Sequence, residues 1–380
     1  MGLKEALPLR EKPLSKSQKT YLSRPRWIHF WLFGPEFGCV KRELPIIEKL
    51  ILDFKVLLIV HNRHVAPIRQ YFASDKNIEI VTYHQGINLE YNADLTIKLG
   101  KTLANAIKFV AYQWIRDFRI FRNAIKTYPP AVIVSDFLPY IPLWSRIHRI
   151  PTIGVYNFSL DYTSFGNALT HKILEFIVTT AYKISYRFPN KMFIESLVER
   201  EIPHARCIPL IRRYSTPADE RDSEGNYFIA LGGKSNPELI LQFFKKVHKF
   251  APQLKFWLAL REGGEFTNMN SPFNIVSTDS AFSTCDMIQK MDGVITKAGF
   301  STVAEALQFK KKIYTIMLKN HPEIQETANA LIAMGLTKPI SLAMPPEEVA
   351  AILTAPFEAG KNAIKFGGEK IVLKEIQKHI

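Results

Sequence analysis

Three short stretches in the second half of this chain combine glycine, hydroxyl and carboxylate side chains at spacings that suit a phosphorylated ligand. In "ALGGKSNPEL", Gly232, Gly233, Lys234 and Ser235 stand between an apolar run and a helical pattern. Glycines let a backbone come close to phosphate, helix-start amides attract anions, and Lys234 adds charge. The same residues also suit a plain βα turn with a serine or asparagine cap. In "ITKAGFSTVAEAL", Gly299 supplies a turn and Phe300, Ser301 and Thr302 begin a helix, with Ser301 or Thr302 expected as its cap. Glu305 follows one turn in, where a carboxylate can accept paired hydrogen bonds from vicinal hydroxyls or close a capping box on Thr302. In "HPEIQETANALIAMGL", Gln325 and Asn329 lie one helical turn apart, and Gly335 ends the helix.

The surrounding pattern says what must position these groups. "WIHFWLF" (27–33), "VLLIV" (56–60), "IEIVTY" (78–83), "AVIVSDF" (131–137) and "TIGVYNF" (152–158) read as strands, mostly buried on both faces because the apolar runs are nearly continuous. Helical patterns over 38–52, 64–74, 95–127 and 139–148 separate them. A second series runs "YFIALGG" (227–233), helix 237–249, "KFWLAL" (255–260), "FNIVS" (273–277), helix 283–290, "DGVIT" (292–296), helix 301–309, "KIYTIM" (312–317) and helix 323–334. Strand–helix alternation predicts α/β folding: two Rossmann-like, doubly wound parallel-sheet domains facing a cleft. The polar stretch "PADERDSEGN" is the expected linker. The expected division is a flexible basic tail over 1–25, a first domain over 26–216, a second over 217–360, and a final helical stretch over 361–380 returning to the first.

A length of 380 residues suits two domains, and 47% hydrophobic with 22% charged residues describes a globular chain. Cys39, Cys207 and Cys285 lie too far apart for a CxxC pair, which argues against a disulfide scaffold or zinc site. The polar, basic start has no apolar core of a signal peptide. Its Met-Gly invites a lipidation reading that Ala6 argues against. No run of about 18 uncharged apolar residues predicts a membrane span. The net charge of +15 asks for an anionic partner: nucleic acid, lipid or phosphorylated substrate. Nucleic acid is disfavoured because the basic and aromatic residues are dispersed without a recognition motif. In "KTLANAIKFVAYQWIRDFRIFRNAIK" (101–126), basic side chains interleave with a helical aromatic stripe, as they do again over 171–187. Such helices suit an anionic bilayer or, equally, a core-packed layer with a solvated face. The expected location is cytoplasmic, with peripheral contact at the inner membrane face.

Together, the glycine turn, "GxST-x-x-EAL" and "Q-x-x-x-NA-x-x-x-x-G" resemble the donor domain of GT-B glycosyltransferases, in particular those like the bacterial enzyme that adds N-acetylglucosamine to a lipid-linked peptidoglycan precursor. The resemblance covers most of 227–340. It implies that Gly232, Gly233, Lys234, Ser235, Gly299, Phe300, Ser301 and Thr302 bind a donor diphosphate and that Glu305 binds ribose. It further implies that Gln325 touches the donor sugar and that Ser280, Ala281 and Phe282 hold the base. The donor would be a nucleotide-sugar, uridine diphosphate being the expected carrier. The acceptor would be lipid-linked or polysaccharide-type, in cell-envelope polysaccharide biosynthesis. No cofactor and no metal are expected, since no Asp-x-Asp suited to a metal-bound diphosphate occurs.

In the first half, "FGPEFGCVKRELPIIEKL" sits where the family carries an acceptor loop, with Gly34, Gly38 and Arg42 as its counterparts. Cys39 falls where the resemblance implies a histidine base, and a thiol is a poor proton acceptor for an alcohol. Asp136, Glu36 and His61 are the alternative bases. Asp136 ends a strand on the cleft side and could equally cap helix 139–148, whereas His61 and His64 are expected as solvent-facing loop residues. Cys39 could simply pack beneath its helix. The missing histidine also leaves room for a nucleotide-sugar epimerase or hydrolase, or for a non-catalytic nucleotide-sugar-binding protein.

Overall fold

The architecture is that of a computed structural model, which describes residues 27–32, 34, 38–83, 99–108, 114–136, 138, 140–157, 169–213, 224–231, 237–260, 273–277, 283–317, 322–357 and 364–380. The first domain runs β1 (Trp27–Leu32), α1 (Gly38–Leu50), β2 (Lys55–His61), a 3-10 turn (Asn62–His64), α2 (Val65–Tyr71), β3 (Ile78–Tyr83), α3 (Leu99–Lys108) and α4 (Trp114–Thr127). It continues through β4 (Pro130–Asp136), α5 (Tyr140–Ile147), β5 (Thr152–Tyr156), α6 (Leu169–Arg187), β6 (Lys191–Glu195) and β7 (Arg206–Ile208). Its strands are parallel, in the order β3-β2-β1-β4-β5-β6-β7.

The second domain runs β8 (Asn226–Ala230), α7 (Pro237–Phe250), β9 (Lys255–Leu260), β10 (Phe273–Ser277), α8 (Ser283–Gln289), β11 (Gly293–Thr296), α9 (Phe300–Gln308) and β12 (Lys312–Ile316). α10 (Pro322–Ala333), β13 (Lys338–Ile340), α11 (Pro346–Thr354) and α12 (Gly368–Gln377) complete the described chain. Its sheet is also parallel, ordered β10-β9-β8-β11-β12-β13. Both sheets therefore reverse direction beside their first strand, which creates a crevice at the carboxyl ends. The expected doubly wound pair of sheets is what the chain forms.

The continuous apolar strands follow from burial on two sides. On β1, Ile28, Phe30 and Leu32 join the layer under α1, while Trp27 and Trp31 join the layer that holds Phe121 of α4 and Trp144 of α5. Strands β2 and β4 divide the same way, so each side chain, whichever way it points, meets a helix. Strand β3 lies at the sheet edge and is correspondingly half-exposed. The periodic stretch expected as one helix over 95–127 contains two, α3 and α4. The short strands β6 and β7 were not expected.

The last helix, α12, packs Val372 and Ile376 into the core of the first domain. A glycine is required at its start. A Cβ on Gly368 would lie 2.2 Å from the Pro209 carbonyl oxygen. The expected tail (1–25) and the domain boundary at 216/217 fall outside the described residues.

Candidate functional site

The site lies where α1 and α9, each following the first or fourth strand of its own sheet, approach one another. Strand β1 ends at Leu32, beside Asp136 at the end of β4. The turn that follows is held from below. Gly34 is left-handed (φ 76°), its N–H donates to Tyr83 Oη at 2.9 Å, and the Tyr83 hydroxyl donates to Leu32 O at 2.5 Å. His64 Nε2 donates to Gly34 O at 3.0 Å. His61 packs edge-on against Tyr83 and His64, and its Nδ1 accepts the Arg63 N–H at 3.3 Å. Both histidines are buried, His64 to 1% exposure and His61 to 9%. They are not the solvent-facing residues expected; His64 shapes the glycine turn from inside.

Beneath this turn lies a buried charge cluster. Arg42 pairs with Asp136, whose carboxylate also receives the Cys39 thiol. Burial, and then the neighbouring Asp136 charge, push the Cys39 thiol well above its ordinary range. Burial likewise raises the Asp136 carboxyl, against the opposing pull of Arg42. Asp136 is therefore engaged by Arg42 and Cys39. Glu43 lies with Oε1 3.5 Å from Arg42 Nε, and burial raises its carboxyl too. Deeper, Glu195 Oε2 accepts Arg213 Nη2 at 3.0 Å and Oε1 accepts the Ile211 N–H at 2.7 Å.

Across the cleft, α9 begins differently from expectation. Gly299 is the N-cap in an extended conformation, with no side-chain cap, and the helix starts at Phe300. Neither Ser301 nor Thr302 caps it, and Glu305 stands too far along for a capping box. Without a capping duty, Ser301 Oγ donates across the cleft to Gly38 O at 3.2 Å. Phe300 and Ala304 pack against Leu210. Glu305, wholly buried, meets Lys41 Nζ of α1 at 2.8 Å, and Lys41 also donates to Thr284 Oγ1 of α8.

Farther along the cleft, Asn157 Nδ2 after β5 donates to Glu323 Oε1 of α10 at 3.2 Å. Burial raises the Glu323 carboxyl, with the Asn157 bond and the charge of Arg42 pulling it back. Arg200 pairs with Glu326. Gln308 exchanges two bonds with the Arg213 backbone, at 2.6 and 3.0 Å.

The structure thus brings together Gly34, Gly38, Cys39, Arg42, His61 and Asp136 on one side, and Gly299, Phe300, Ser301, Thr302 and Glu305 on the other. Gln325 is half-buried on α10, two residues past Glu323. Glu36, Gly232, Gly233, Lys234, Ser235, Ser280, Ala281 and Phe282 lie outside the described residues. Sequence reasoning missed Lys41, Thr284, Asn157 and Glu323. For Lys41 a signal was present, since it lies one position before Arg42 and one turn into α1. Glu323 stands in the first turn of α10, close to the Gln325 already singled out.

The sequence profile of the family described as "Glycosyl transferase family 1" matches residues 28–354. No curated protein sequence matches the chain at a significant level. Among solved structures, the chain is similar to CalG4, the calicheamicin glycosyltransferase, with TM-score 0.61, 12% identity and 94% of both chains covered. It is similar to UGT2 of Phytolacca americana, solved with UDP-2fluoro-glucose and pterostilbene (TM-score 0.60, 10% identity, 94% of both chains). It is also similar to UGT89C1 of Arabidopsis thaliana, solved with UDP (TM-score 0.59, 12% identity, 94% of both chains).

Proposed function

The chain belongs to glycosyl transferase family 1 and is a hexosyltransferase of GT-B architecture, and from that premise we propose that it moves a sugar from a nucleoside diphosphate, uridine diphosphate first, to an acceptor hydroxyl in the cleft without a metal ion. The observation that carries this reading is the meeting of α9 and α1. The first turn of α9 has no side-chain cap and faces α1, with Ser301 Oγ donating to Gly38 O. Helix-start amides there stabilise the negative charge that develops on a departing diphosphate. Phe300, Ser301 and Thr302 supply that end, Gly299 permits the turn, and Gly232, Gly233, Lys234 and Ser235 add to it. Glu305 takes the ribose, Ser280 to Phe282 the base, and Gln325 the donor sugar. The bound UDP-sugar analogue and UDP named for two structural neighbours support a donor of this class.

In the transfer step, the acceptor O–H proton passes to a carboxylate, the acceptor oxygen bonds to the sugar's anomeric carbon, and the bond from that carbon to diphosphate breaks. Asp136 is the proposed base, because it ends β4 at the switch point and burial moves its carboxyl toward neutral pH. The test pairs calorimetric titration of UDP with product analysis. Asp136→Asn should keep UDP binding and lose transfer at least a hundredfold. Wild type that binds no nucleoside diphosphate at millimolar concentration sinks the donor reading. An epimer or free sugar formed without acceptor would instead favour an epimerase or hydrolase.

A second reading concerns the acceptor. Ile107 of α3, Trp114 and Ile115 of α4, and Ile173 and Phe176 of α6 are exposed, among the exposed cations Lys101, Lys108, Arg116, Arg119 and Lys172. This surface favours a lipid-linked acceptor met at an anionic bilayer. Among the described residues no helix is long and apolar enough to cross a membrane. Co-sedimentation with vesicles containing anionic lipid, and not with neutral vesicles, is the expected result. Equal absence from both pellets favours a soluble small-molecule acceptor.

A further inference from the structure

We propose that Lys41 is a donor-binding residue supplied by the opposite domain: it holds Glu305 in the free protein, then yields that carboxylate to the ribose and takes up the diphosphate. This rests on the donor reading above. Glu305 is 0% exposed and its one ionic partner among the described residues is Lys41, at 2.8 Å. Its Oε2 has no hydrogen-bond donor among the described residues. A buried carboxylate left with one cation and an idle oxygen is under-satisfied, and vicinal hydroxyls offer it two donors at once.

Lys41 is suited to leave. Its side chain keeps 11% exposure, against none for Glu305. Its other polar contact among the described residues is the neutral hydroxyl of Thr284, and an ammonium carries three donors. An ammonium on a four-carbon stem is a point charge that re-aims readily, unlike the planar guanidinium of Arg42 fixed on Asp136.

It also has a short way to go. Ser301 and Glu305 lie one turn apart on α9, roughly 6 Å along one face. Ser301 marks the diphosphate end and already touches Gly38, three residues before Lys41. A Cβ on Gly38 would stand 3.2 Å from Ser301 Oγ, so the glycine lets α1 come close enough for Lys41 to reach α9. Donor arrival replaces one carboxylate–ammonium pair with a carboxylate–ribose contact and an ammonium–phosphate contact. The buried carboxylate keeps polar partners throughout.

The test compares uridine, which offers ribose alone, with UDP, which offers both, by calorimetric titration of wild type, Lys41→Met and Lys41→Arg. Lys41→Met retains the volume of the stem and should bind uridine at least as tightly as wild type, because the competitor for Glu305 is gone. It should bind UDP more weakly, lowering the UDP-to-uridine affinity ratio at least tenfold. Lys41→Arg should restore part of that ratio. A ratio within twofold of wild type in Lys41→Met overturns the proposal and leaves Lys41 a structural clasp, as does an equal loss for both ligands. A wild type that binds neither ligand removes the donor reading itself and this proposal with it. Wild-type binding with an unchanged ratio removes only the role of Lys41.

Discussion

Replacing Arg213 with methionine tests whether the buried charge pair behind the cleft holds the connection between domains. The Arg213 guanidinium donates to Ile211 O at 2.8 Å and to Glu195 Oε2 at 3.0 Å, with both partners buried. Two charge-assisted bonds of about 1.5–3 kcal/mol each are lost. Among the described residues, Glu195 keeps the Ile211 N–H as its hydrogen-bond donor. Removing one partner of a buried pair costs about 3–5 kcal/mol, because the remaining charge is uncompensated. For a cooperative unit of roughly 190 residues, an unfolding entropy of about 2.1 cal/mol/K per residue totals about 0.4 kcal/mol/K. A loss of about 4 kcal/mol then lowers the first domain's Tm by roughly 10 °C. Scanning calorimetry and urea denaturation of Arg213→Met, Glu195→Gln and the double variant read it. The double variant removes both charges and should recover at least half of the loss. A single variant within about 1 kcal/mol of wild type, or a double variant whose loss equals the sum of the singles, refutes the reasoning.

Three further outcomes follow from the same structure. Burial pushes the Asp117 carboxyl up to about 6, against the Tyr140 hydroxyl bond that pulls it down. The folded state therefore binds more proton than the unfolded state between about pH 4 and 6, and this group's contribution to stability falls as pH rises through that window. Asp117→Asn should remove that slope, worth up to about 3 kcal/mol; urea melts giving the same slope in both proteins would refute it. The raised Cys39 thiol should resist iodoacetamide in native protein at pH 8 at least tenfold more than in urea-unfolded protein, read by peptide mass spectrometry. Equal labelling in the two states would show a free thiolate. Gly38→Val places methyls against Ser301 and should weaken UDP binding several-fold with little change in Tm, whereas unchanged binding would mean that α1 need not approach α9.

The fold was legible because its signals are local and redundant. A short, β-branched apolar run such as "VLLIV" reads as a strand buried on two faces, and the helices between such runs favour parallel pairing. What escaped were elements too short to carry a period. β7 has three residues, and β6 offers a brief apolar run beside a charged end. The split of 95–127 into α3 and α4 escaped because one amphipathic stripe continues across both helices.

Candidate residues were legible on both sides of the cleft, but their pairings were not, and the reason is physical. The residues of α9 stand out from their spacing along the chain, and the structure places Phe300, Ser301 and Thr302 together at one helix start. Lys41 and Asp136 are paired with residues 264 and 94 positions away, Glu305 and Arg42, and no periodicity encodes such a pairing. Histidine type alone suggested exposed loop residues at 61 and 64, yet the Gly34 carbonyl needs a buried donor and His64 provides it. Cys39, read as a departure from the expected base, is better understood through its neighbours. A thiol donating to Asp136 gives that carboxylate a second donor besides Arg42, at a depth where imidazolium would add a second buried cation. The residue at position 39 and the charge at position 42 are therefore one design. Cys39→His should lower the stability of the first domain, and it should regain it when Arg42 is changed to methionine in the same protein. Thermal melts of the two single variants and the double variant decide this, and additive losses would show that the two positions are independent.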